Sequence, residues 1–262
     1  VNVTAGALVR VAGRSAVLAA GTMVVGGVTL LVVEAAAAAA RRYAQPTIRP
    51  GMRARLGPPG APRLALVMLG DSTAAGVGVS RVEESVGGRL AERLAGGGRQ
   101  VDLSSVAVSG ARSADLDLQV SRALLTDRPD LAVVLVGGQD AIHGVRPRRA
   151  AAALAGAVRR LRGAGVSVVV GGCPDLGASR AIGQPLREIV GHVGRVLARA
   201  QLAAAREEGA AAVDLGARTG TVFRADAGML CADGFHPSAD GYRIWAHTLY
   251  PVVAEQAHAT DR

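Results

Sequence analysis

Lysine is missing from this sequence: all 30 basic residues are arginine. The deficit reads as codon bias in a GC-rich genome. The formal charge of +9 at pH 7 could favour anionic membranes or nucleic acid. The arginines are dispersed, however, and aromatic residues make up only 2% of the chain, too few to stack bases. Nucleic acid is therefore set aside as a partner. Cysteine is scarce as well. Cys173 and Cys231 are too few for a disulfide scaffold and have no zinc spacing. Both fall in loops expected on one edge of the domain. One disulfide in an exported domain and two unpaired thiols both stay open. No internal repeat of useful length occurs, and the 35 glycines follow no collagen-like period.

Half of the 262 residues are hydrophobic. With so few aromatics, the core must be built mainly from Ala, Val and Leu. Ala16 to Val33 is a long run of apolar or small residues, interrupted at Glu34 and followed by alanines up to Arg41 and Arg42. Residues 1–42 are expected to be a transmembrane or signal-anchor segment beginning with a hydrophobic helix. Arg10 and Arg14 precede the run, and Arg41, Arg42, Arg49, Arg53 and Arg55 follow it. A positive-inside count and a signal-anchor reading place the domain on opposite sides. Anchorage or export to the cell envelope is expected, with the side left open. Residues 43–63, rich in Pro and Arg, are expected to be a stiff linker. Residues 64–256 form the domain, and 257–262 a tail.

Within the domain, short apolar runs alternate with helical patterns. Strands are expected at Leu64–Leu69, Val101–Val108, Leu131–Val136, Val166–Val170 and Ala210–Leu215. Helices are expected at Glu83–Leu94, Ser113–Leu125, Pro147–Arg162, from Leu186 to Ala200, and at Ala239–Val253. Such alternation requires crossovers and gives a parallel sheet with helices on both faces. Ligand sites then lie beyond the carboxyl ends of the strands.

Those ends carry polar, glycine-rich segments: Gly70-Asp71-Ser72-Thr73, Ser109-Gly110-Ala111-Arg112 and Gly137-Gly138-Gln139-Asp140. Asp233-Gly234-Phe235-His236-Pro237-Ser238 precedes the last helix. A serine hydroxyl is a poor nucleophile until a base takes its proton. Histidine is the natural base near neutral pH, and a carboxylate fixes its tautomer. Ser72, His236 and Asp233 supply these three groups. The backbone N–H of Ser72 and that of Gly110 are candidate donors to an oxyanion. Asp71 and Asp140 read as loop braces. His143 lines the cleft or is solvated; Asp175 and Arg180 are placed on the substrate rim. His192, His247 and His258 receive no role.

These four blocks, in this order, resemble those of the SGNH (GDSL-type) hydrolase superfamily over Leu64 to Val253. The resemblance implies a flavodoxin-like, three-layer α/β/α fold with a parallel five-stranded sheet and no metal or organic cofactor. It implies ester hydrolysis through an acyl-enzyme on a small-molecule or lipid acyl ester. Ser72 would be the nucleophile, His236 the base and Asp233 its orienting partner, with Ser72, Gly110 and Gln139 as oxyanion donors. The family carries Asn where this chain has Gln139, which puts the same amide one methylene farther out. A backbone shift that restores the donor and a weakened site are both open. An acyltransferase or carbohydrate deacetylase would use the same triad. A catalytically weak binding protein is the alternative from another class.

Overall fold

A computed structural model describes residues 29–38, 40–48, 51–125 and 128–260. Six strands form one sheet: β1 (Arg53–Leu56), β2 (Arg63–Gly70), β3 (Gln100–Ser105), β4 (Leu131–Leu135), β5 (Ser167–Gly171) and β6 (Ala211–Val213). Their order is β1-β3-β2-β4-β5-β6. β2 to β6 pair in parallel, whereas β1 runs antiparallel to β3, with Arg53 opposite Ser104 and Leu56 opposite Val101. The helices are α1 (Val86–Gly96), α2 (Leu116–Leu125), α3 (Gly138–Ile142), α4 (Pro147–Gly163), α5 (Leu186–Glu207), α6 (Leu215–Ala225) and α7 (Ala239–Ala259).

The period-two geometry of a strand divides the apolar runs between two cores. Leu64, Leu66 and Met68 of β2, with Leu131 and Val133 of β4, face Leu90 of α1 and Trp245, Leu249 and Val253 of α7. Val67 and Leu69, with Ala132 and Val134, face Leu116 and Val120 of α2 and Leu154, Val158 and Leu161 of α4. Because β2, β4 and β5 are covered on both faces, their sequences are continuously apolar, whereas β3 alternates between half-buried and buried residues. The three layers and the five parallel strands agree with the expectation from sequence.

The sheet is nevertheless mixed and six-stranded, not parallel and five-stranded. The added strand, β1, lies inside residues 43–63, which were expected to be a linker. Its alternation is only two periods long: Arg53 and Arg55 are exposed, while Ala54 and Leu56 pack on the core. Flanking prolines and arginines mask that pattern. Helix α7 runs to Ala259, so the first half of the expected tail, residues 257–259, is helical. Most of the expected span Ala16–Val33 lies outside the described residues. Residues 29–38 and 40 are helical, and no helix among the described residues is long and apolar enough to cross a membrane.

Chain direction switches between β2 and β4: β3 is added on one side of β2 and β4 on the other. In open α/β sheets a crevice forms at such a point, outside the carboxyl ends of the strands. Ser72 follows β2 and Gln139 follows β4, so both arrive there.

Candidate active site

Strand β2 ends at Gly70, where φ is +131° and a Cβ would sit 1.7 Å from the carbonyl oxygen of Leu135. Only glycine fits, because the backbone turns directly against β4. The next N–H, from Asp71, donates to that same carbonyl at 3.0 Å. The buried Asp71 carboxylate accepts from the N–H of Thr73 at 2.9 Å and from its hydroxyl at 2.7 Å. The N–H of Val77 donates to the Ser72 carbonyl at 2.9 Å, and the buried Tyr242 of α7 donates its hydroxyl to the Val77 carbonyl at 2.6 Å. The turn bearing Ser72 is thus fixed by β4 on one side and α7 on the other.

The second half of the site is the loop of a small hairpin closed by the antiparallel bridge between Leu230 and Pro237. Inside it, Asp233 Oδ1 accepts from the N–H of Phe235 at 2.7 Å, the N–H of His236 at 2.9 Å and the thiol of Cys231 at 3.1 Å. Asp233 Oδ2 meets His236 Nδ1 at 2.6 Å and accepts from the N–H of Ala44 at 2.9 Å. Burial alone would raise the pKa of this carboxyl. The hydrogen bonds from the His236 ring and from the backbone of Ala44, His236 and Phe235 outweigh it, and Asp233 is held well below the usual carboxylate range.

The two halves meet at His236, whose Nε2 lies 3.0 Å from Ser72 Oγ. Gly78 permits the approach: a Cβ there would lie 2.3 Å from the Pro237 carbonyl oxygen. Hydroxyl, imidazole and carboxylate therefore form one connected line, with the Ser72 and His236 side chains buried. A base within hydrogen-bond reach of a hydroxyl, itself oriented by a carboxylate, is the geometry that activates a serine for attack on a carbonyl.

Of the other expected site residues, Gln139 lines a cavity beside Ser72, together with Asp71, Gly138, Leu176 and Phe235. Gly110 does not. It stands in the exposed turn beyond β3, outside that lining, although the neighbouring Val108 N–H is tied to the Gly70 carbonyl at 3.1 Å. Asp140 braces the Gln139 turn as expected, accepting from the N–H and the hydroxyl of Ser113, both at 2.9 Å. Asp175 reaches the rim of the cavity, but its carboxylate is held by Arg224 at 2.6 Å. Arg180 donates to the Arg224 carbonyl at 3.3 Å. His143 is exposed, with Nδ1 2.9 Å from the Gln139 carbonyl oxygen. Cys173 and Cys231 are free thiols; Cys173 is buried beside Pro174, and Cys231 is turned to Asp233. Among the described residues, no cluster of His, Cys, Asp and Glu is suited to hold a metal ion.

Comparison with known proteins matches residues 68–244 to the model of the GDSL-like lipase/acylhydrolase family. The chain belongs to that family. A GDSL-like esterase of Mycobacterium tuberculosis is 42% identical over 195 residues, covering 72% of this chain; the chain spans 62% of that relative's own length. Solved structures share the fold. The crystal structure of TesA superimposes with a TM-score of 0.60 at 24% identity, covering 73% of this chain and 99% of that one. The acetyl xylan esterase AlAXEase gives a TM-score of 0.56 at 20% identity, covering 72% of this chain and 100% of that one.

Within this GDSL-family site, sequence reasoning missed the donors to Asp233 supplied by Ala44 and Cys231. It also missed Gly78 and the Arg224 partner of Asp175. Cys231 carried a readable signal, since it stands two residues before Asp233 in a tight turn. Ala44 carried none, because any residue except proline offers a backbone N–H.

Proposed function

We propose that this chain is a serine esterase that cleaves small acyl esters through an acyl-enzyme. Ser72 Oγ attacks the acyl carbonyl as His236 Nε2 takes its proton, and Asp233 stabilises the imidazolium. The oxyanion of the tetrahedral intermediate takes hydrogen bonds from the Ser72 N–H and the Gln139 amide. The intermediate collapses, His236 returns the proton to the departing alcohol, and water then repeats the sequence to release the acid. One observation carries this reading: the unbroken line from Asp233 through His236 to Ser72, with links of 2.6 and 3.0 Å.

The partly open cleft beside Ser72 has a volume of about 40 Å³ and is lined by Leu176, Phe223, Phe235 and Trp245. A single water needs roughly 10–15 Å³ of such space, so the cavity fits an acyl group of a few non-hydrogen atoms. Acetyl and propionyl esters are the favoured substrates, and long acyl chains are not. The acetyl xylan esterase among the fold's neighbours is compatible with that choice.

A fluorophosphonate probe together with a panel of nitrophenyl esters of increasing chain length tests both statements. Labelling and hydrolysis are expected in the parent chain, to vanish in Ser72→Ala, and to fall steeply beyond about four acyl carbons. Hydrolysis that survives Ser72→Ala would refute the serine mechanism. A preference for octanoyl or longer esters would refute the small acyl site.

A further inference from the structure

Glu34, in the N-terminal helical stretch, and residues 43–48, between that stretch and β1, precede the family-matched region, yet they reach the site. Five contacts hold them there. Glu34 Oε2 accepts from the N–H of Leu186 at 2.9 Å, at the start of α5, where a carboxylate is favoured by the helix dipole. The Tyr43 ring packs edge-on against Phe235, with centroids 5.4 Å apart, and Phe235 packs edge-on against the His236 ring at 5.1 Å. The N–H of Ala44 donates to Asp233 Oδ2 at 2.9 Å, the oxygen that also meets His236 Nδ1. Thr47 donates its hydroxyl to the Val79 carbonyl at 2.7 Å, and Ile48 is buried beside Gly76.

We infer that residues 43–48 are a strap that completes the active site, with Ala44 and Tyr43 as positioning residues for Asp233 and His236. The inference rests on the serine-esterase reading above and adds to it a part of the chain outside residues 68–244. Two features make the strap more than an incidental covering. Its Ala44 donor lands on the carboxylate oxygen that orients the imidazole. Its Tyr43 ring stands behind the aromatic residue flanking that imidazole. Both anchors, at Glu34 on one side and at Thr47 and Ile48 on the other, hold the connecting residues over the Asp233 loop.

The Ala44 donor lands on the carboxylate oxygen that holds the imidazole, so its loss loosens His236 where it must take the Ser72 proton and leaves ester binding alone. A residue that only stabilises the fold would not lower kcat in the folded protein.

The test uses the full chain with acetyl ester substrate. Ala44→Pro removes the N–H; Ala44→Gly retains it. Ala44→Pro is expected to lower kcat about ten- to a hundredfold, the size of a lost bond to a charged group. KM should change little, while Ala44→Gly behaves as the parent. Tyr43→Ala, which leaves every backbone donor in place, is expected to lower kcat, with Tyr43→Phe restoring it. This second pair carries the test if the proline variant does not fold. Parent-like kcat in Tyr43→Ala, or in a folded Ala44→Pro, would overturn the strap's role while Ser72→Ala remains inactive. Activity persisting in Ser72→Ala would instead overturn the esterase reading, and the strap's role with it.

Discussion

Gln119 bonds both peptide groups of Gly70: its Oε1 accepts from the Gly70 N–H at 2.7 Å, and its Nε2 donates to the Gly70 carbonyl at 2.8 Å. A side-chain amide reproduces here the pairing a neighbouring strand would give, at a glycine that cannot carry a side chain against β4. The pair is fully buried on α2, so it fixes the backbone two residues before Ser72 from the opposite face of the sheet. Gln119→Met keeps the volume and removes both bonds. The Gly70 carbonyl retains the Val108 N–H, but the Gly70 N–H loses its acceptor. A buried unsatisfied donor costs about 1–3 kcal/mol, and denaturant unfolding should show a loss of that size. An unchanged midpoint would mean that another acceptor replaces Gln119.

Asp233 should couple activity and acid stability. Its carboxylate is held below the usual range although burial opposes the charge, because five donors converge on it. A depressed folded-state pKa contributes stability that is fully present above the unfolded value near 4 and is lost as pH falls through the lower folded value. Asp233→Asn should therefore be less stable than the parent at pH 7 by a margin that narrows below about pH 4. It should also lose on the order of a hundred- to ten-thousandfold in kcat, because the amide favours the wrong imidazole tautomer. A stability gap independent of pH would show that the carboxylate's charge is not what the loop is built around.

Asp71 is expected to behave in the opposite sense. Burial raises its pKa, and the bonds from Thr73 and the field of His236 only partly offset this. A raised folded value means that stability is lost as pH rises from the unfolded value through the folded one. Asp71→Asn keeps an acceptor for both Thr73 bonds and removes the buried charge. Its melting temperature should exceed the parent's at pH 8, with the difference vanishing near pH 4. A variant less stable than the parent at pH 8 would show that ionised Asp71 has a favourable partner.

The sequence was readable wherever side-chain chemistry or periodicity carried the information. Strands β2, β4 and β5 announced themselves as apolar runs and β3 as an alternation, and strand order sent Ser72 and Gln139 to one edge. The Asp233 and His236 spacing required a tight turn, which the bridge between Leu230 and Pro237 provides. What could not be read was set by backbone geometry and long-range packing. Strand β1 shows only Ala54 and Leu56 to the core, too short a pattern to separate from the surrounding prolines. The Ala44 donor is a peptide N–H, invisible in a residue's identity. The Gly78 contact with Pro237 exists only because α7 brings the end of the chain back against the Ser72 turn.

Gln139 poses the sharpest question about rate. Its family counterpart is Asn, so the amide must either be relocated by the backbone or act from one methylene farther out. The backbone is not free to move. At Gly137 a Cβ would lie 2.8 Å from the Cys173 Cβ, so the chain is pressed there against the segment that follows β5. Asp140 is pinned by two bonds from Ser113, and the Gln139 carbonyl accepts from the His143 N–H at 3.0 Å. Adjustment is left to the side-chain torsions of Gln139, which have rotamer freedom that a shorter Asn lacks. Gln139→Ala should lower kcat on the order of a hundredfold with KM nearly unchanged, as expected for a donor that acts on the transition state rather than on bound ester. Gln139→Asn should raise kcat above the parent, because it draws the amide back on a fixed backbone and orders it at lower entropic cost. Equal kcat in the parent and in Gln139→Asn would place the rate limit elsewhere. A parent-like kcat in Gln139→Ala would remove this side chain from the oxyanion site and leave the stabilisation to backbone donors alone.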